Sequence, residues 1–127
     1  MRYQLAEFFM QENHAWDDLI TRHRSEIPKF RDMLGDVLSR RRVVGDDTRA
    51  GVDSLCTEMS HHEESMTLIR ERLALQQEYL QRRSGHDLSY DNDSLARQNN
   101  LRQEIRHAEN AFIHLKCEML NYLSVIG

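Results

Sequence analysis

Apolar side chains recur at steps of three and four along most of the chain, the spacing that gathers them on one face of an α-helix. Leu5, Phe8, Phe9, Trp16, Leu19, Ile20, Ile27, Phe30, Met33, Leu34, Val37 and Leu38 predict a first helix over residues 5–42. Pro28 falls inside it, lacking a backbone donor and crowding the carbonyl of Arg24, so a kink is expected there, the alternative being a restart capped by Ser25. Val52, Leu55, Met59, His62, Met66, Ile69, Leu73, Gln76 and Leu80 alternate steps of three and four in the manner of a coiled coil and predict a helix over 48–83. Leu101, Ile105, Ala108, Phe112, Leu115, Met119, Tyr122 and Ile126 predict a third that runs nearly to the last residue. Gly45, followed by Asp46, Asp47 and Thr48, reads as a stop and a start within a short link, whereas Ser84 to Ser94 is a longer loop dense in turn formers. The expected fold is all-α: one domain over 1–127, an elongated antiparallel three-helix bundle that can dimerise.

Composition supports this class and narrows the partners. One proline and 5 glycines in 127 residues are too few for a β-rich chain that must turn often. With 30% charged residues and no apolar run approaching the ~20 residues of a spanning helix, no membrane segment is expected. The first ten residues carry Glu7 in a short apolar stretch and no small-residue cleavage site, which points to the cytoplasm. A net charge of -4 lacks the uniform positive field that drives phosphate binding, so nucleic acid is not an expected partner. Arg40 to Arg42 and the pair Arg82, Arg83 fall where helices end, where cations complement the macrodipole. Cys56 and Cys117 lack C-x-x-C spacing and read as reduced thiols.

Some polar residues fall on apolar faces. At 100° per residue, Glu12 and His23 project near the centre of the first stripe and His62 near that of the second, so all three are expected to be buried. An antiparallel pairing about the 43–47 link brings together residues whose numbers sum to about 90, which sets Glu26 opposite His62 with His23 one turn away. Two readings follow. His62 donates to Glu26 in a satisfied polar layer that fixes register; or His23, Glu26 and His62 hold iron or zinc, for which two imidazoles and a carboxylate are a fitting ligand set. Opposite them the third helix offers only Ala111, Phe112 and Leu115, so a metal would need water or a second chain.

Other chemistry fits poorly. Glu58-Met-Ser-His61 and Glu104-Ile-Arg-His107 match the Glu-x-x-His pattern of di-iron bundles, but both histidines project more than about 100° from their stripes. His114 lacks the spacing of lysine and glycine that follows a phosphotransfer histidine. No base is expected beside Cys56 or Cys117, and no glycine-rich phosphate loop is present in the sequence.

A second line on the middle helix, Leu68, Leu75 and Tyr79, lies roughly 120 to 140° from the first, and Tyr3 and Met10 lie off the main stripe of helix one. One bundle core cannot cover both lines, so an interaction surface is expected there, most simply for a homo-oligomer. His14-Ala-Trp16 through Glu26 and Phe30, then His61-His62-Glu63, then Leu101-Arg-Gln-Glu104 through Glu109, Phe112, Leu115-Lys116 and Glu118 resemble a group of small Bacteroidetes proteins with three long helices rich in His and Glu. The resemblance implies a cytoplasmic three-helix fold and supplies no activity. The expected role is therefore non-enzymatic, by self-association or protein–protein contact, with no cofactor; the alternative is the iron- or zinc-binding bundle.

Overall fold

The computed structural model of the chain describes residues 4–40, 44–83 and 92–126. Three helices account for nearly all of these: α1 (Gln4–Arg40), α2 (Asp46–Arg82) and α3 (Asn92–Ile126). Among the described residues only Val44, Gly45 and Arg83 lie outside them. Each helix packs on both others, so the fold is the expected all-α three-helix bundle. At 1.5 Å per residue the 37 residues of α1 span about 55 Å, and α2 matches it. Residue pairs give the directions: Asn13 meets Gln77 while Arg31 meets Ser60, so α1 and α2 are antiparallel. Arg102 reaches back to Glu12 and Phe112 lies on His23, so α3 runs parallel to α1.

α1 is continuous across Pro28, without the restart at Ser25. Pro28 and Arg24 both face solvent, where the carbonyl that loses its helical donor can be hydrated. α2 begins at Asp46, two residues before the expected start, with Asp46 and Asp47 in the first turn, where carboxylates favour the dipole. Gly45 caps it through backbone alone, its carbonyl accepting from the Arg49 N–H at 3.0 Å. Tyr3, Arg41 to Val43 and the 84–91 part of the expected loop lie outside the described residues.

The core divides into three apolar blocks. One holds Ile27, Phe30, Leu34, Leu55, Met59, Leu115 and Met119; a second holds Ile20, Met66, Ile69, Leu73, Leu101 and Ile105; a third, smaller one holds Ala6, Phe9 and Leu80. Polar side chains lie at both joints. His23 and His62 separate the first two blocks, and Asn13, Gln76, Ser94 and Gln98 separate the last two. Near the chain end the Tyr122 ring crosses so close over Gly51 that a Cβ at 51 would meet its hydroxyl and ring. Among the described residues no helix is long and apolar enough to cross a membrane.

Candidate functional site

His23 and His62 are buried as the stripes predict, each 6% exposed, and their rings meet. His62 Nε2 lies 3.3 Å from His23 Nδ1, so one N–H donates to the other nitrogen. Phe112 of α3 closes the third side, stacked on His23 with centroids 3.9 Å apart and planes 8° from parallel. Burial, with smaller contributions from His62 and Arg22, lowers the pKa of His23 to about 4. Burial also lowers that of His62, opposed by Glu63. Near neutral pH both imidazoles are therefore uncharged, the state in which a ring nitrogen can accept a proton, a hydrogen bond or a metal.

Glu26 is the departure from expectation. The hydrogen bond of His62 goes to His23, while Glu26 lines a neighbouring cavity of about 230 Å³ together with Arg22, His23 and Glu109. The reason is angular and energetic. Three residues beyond His23 is a rotation of 300°, which sets Glu26 60° to one side of the ring on the half-buried flank of the helix, and an imidazole loses less than a carboxylate on burial. Glu12 also remains half-buried, paired with Arg102 at 2.6 Å. His23, Glu26 and His62 do not bring their ligand atoms within 4.8 Å of one another; among the described residues Glu58, His114 and Glu118 do. That second group joins α2 to α3 at the surface, and His114 Nε2 already pairs with Glu118 Oε1 at 2.8 Å. The i,i+4 spacing of His114 and Glu118 is readable in the sequence; the arrival of Glu58 depends on how α2 and α3 are paired.

Of the second polar joint, the apolar stripes read from the sequence include only Gln76. Gln98 Nε2 donates to Asn13 Oδ1 at 2.9 Å, Asn13 Nδ2 donates to Gln77 Oε1 at 3.1 Å, and Gln76 Nε2 donates to Gln98 Oε1 at 3.2 Å. Each helix thus bonds to the other two through neutral amides. A signal existed: Phe9, Asn13, Trp16 and Ile20, and Ser94, Gln98, Leu101 and Ile105, keep the three-four spacing if polar members are admitted.

Leu68 and Leu75 are 52% and 67% exposed, so the bundle leaves the second line of α2 largely uncovered. Tyr79 is half-buried, its ring flanked by the guanidinium groups of Arg83 and Arg97 at 5.3 and 5.2 Å. Met10 packs instead against the Ala6–Phe9–Leu80 block. Between α2 and α3 the line borders two depressions, of about 510 Å³ around Leu75, Tyr79 and Arg97 and about 390 Å³ around Leu68, His107 and Ala111. Arg72 and Glu104 pair between them. Among the described residues, two buried acceptors beside this groove, Gln76 Oε1 and Glu104 Oε2, have no hydrogen-bond partner. For the thiols, burial raises the pKa of Cys56, against the pull of Arg31, which disfavours the nucleophilic thiolate. Comparison of the chain with protein-family models, with curated proteins and with solved structures finds no match.

Proposed function

We propose that the protein works by association, docking another macromolecule on the outer face of α2 and α3. The observation that supports this is the exposure of Leu68 and Leu75, seven residues apart on a well-formed helix and bordered by a groove. Two large aliphatic side chains on one line form a patch that water hydrates poorly. The free thiols Cys56 and Cys117 suit a cytoplasmic setting.

A photo-crosslinking residue placed at position 75 in the cells that make the protein tests this. A discrete adduct at 75, and none from the same residue at the exposed Met33 position of α1, is the expected result. Absence of any adduct at both 68 and 75 would overturn the reading.

Metal binding is the second reading, favoured by the two uncharged imidazoles whose nitrogens face each other at 3.3 Å. Iron or zinc held by His23 and His62 would require Glu26 to turn inward from the cavity it shares with His23. Elemental analysis of untagged protein decides it: stoichiometric metal lost on His62→Ala supports the site, and metal-free protein removes it.

A further inference from the structure

We infer that the occupant of the α2–α3 face is a second copy of this chain, docked antiparallel about a two-fold axis near Glu71 and Arg72. This rests on the association reading and adds the partner and the register. A two-fold interface requires a surface complementary to itself, and the α2 line meets that requirement in two ways. Where residue numbers on the two copies sum to 143, Leu68 of each copy lies against Leu75 of the other, and Glu71 lies against Arg72 on both sides of the axis.

The second form of complementarity is charge. At the end of the groove nearest the α2–α3 loop stand Arg82 and Arg97 with Glu78, a formal excess of one positive charge. At the other end Glu58 and Glu118 meet beside His114. An antiparallel copy reverses the order, so Glu58 of each copy comes within one turn of Arg82 of the other, whereas a parallel copy would stack like on like.

The face runs about 36 Å from Glu58 to Arg82 at 1.5 Å per residue, and at a width of some 20 Å covers roughly 700 Å² per copy, near the lower limit for a stable pair. The expected dimer is accordingly weak, with a Kd of order 10 µM that rises with salt as the end charges are screened.

Sedimentation equilibrium over roughly 1 to 300 µM is the experiment. Expected are a monomer–dimer equilibrium, loss of the dimer on Leu75→Asp, and a weakening of about tenfold on either Glu58→Lys or Arg82→Glu. The double variant, which restores opposite charges across the axis, should recover most of the affinity. Both charged residues are exposed, so these changes leave the core intact, and unchanged helicity by circular dichroism confirms it. Cys117 marks a competing ridge on α3 with the exposed Ile113 and Leu120. A dimer linked through Cys117 by a short bis-maleimide and indifferent to Leu75→Asp overturns the assignment. A monomer at every concentration overturns it as well; if position 75 nonetheless crosslinks to a different protein in cells, association stands with another partner, and if it crosslinks to nothing, both readings fall.

Discussion

Acidification should unfold this protein earlier than its carboxylates alone would dictate, through the buried histidine pair. The folded state holds His23 at about 4 against an ordinary value of 6.5. Between those values the unfolded chain binds a proton that the native chain refuses, so stability rises with pH there. The contribution is complete above pH 6.5 and lost as the pH falls toward 4. Worked through linkage, His23 alone removes about 2 kcal/mol by pH 5 and about 3 kcal/mol by pH 4. His62, shifted in the same direction, adds to this. The charged groups around the pair, Arg22 and Glu26 of α1, Glu63 of α2 and Glu109 of α3, sit at its edges, and Phe112 fills the side toward α3. Among the described residues each ring hydrogen-bonds only to the other.

Urea unfolding followed by circular dichroism from pH 7.5 to 4 measures the effect, with the double variant His23→Leu/His62→Leu as reference. Carboxylate titration acts on both proteins, so the difference between the curves isolates the imidazoles. The wild type should lose at least 2 kcal/mol more than the variant between pH 7 and 5. Parallel curves would refute the reasoning, because they would mean that protonated histidines are accommodated in the native core.

Four further perturbations follow from the packing. Gly35→Ala should gain about 1 kcal/mol of helix propensity, since nothing lies within 4 Å of a Cβ there. Gly51→Ala should lose at least about 1 kcal/mol because Tyr122 occupies the space, and Tyr122→Leu should recover the loss; thermal melts of the variants check both. Gln98→Leu should cost about 1 to 3 kcal/mol by chemical denaturation, stranding the Asn13 amide oxygen between the second and third apolar blocks while Gln76 keeps its hydrogen bond to the Ser94 carbonyl. His62→Ala should cost about 3 kcal/mol or more through the cavity it leaves and the His23 nitrogen it unpairs, whereas His62→Leu fills the space and should cost about 1 kcal/mol for the unpaired nitrogen alone; equal losses in denaturation would contradict this account of the pair.

The three-four periodicity was enough to specify three long helices and most of the buried residues, His23 and His62 included. Burial in a helical bundle follows from angular position, and angle follows from residue number at 3.6 per turn. The exposure of Leu68 and Leu75 was legible for the same reason. Partner choice was different. Whether His62 meets His23 or Glu26 turns on helix crossing and on a rotation of about 60° about the α1 axis, which periodicity within a single helix does not encode. The amide circuit of Asn13, Gln76, Gln77 and Gln98, and the meeting of Glu58 with His114 and Glu118, depend in the same way on how the three helices slide past one another. That sliding is set by which side chains fill which gaps across the bundle, and only the packed tertiary structure contains it.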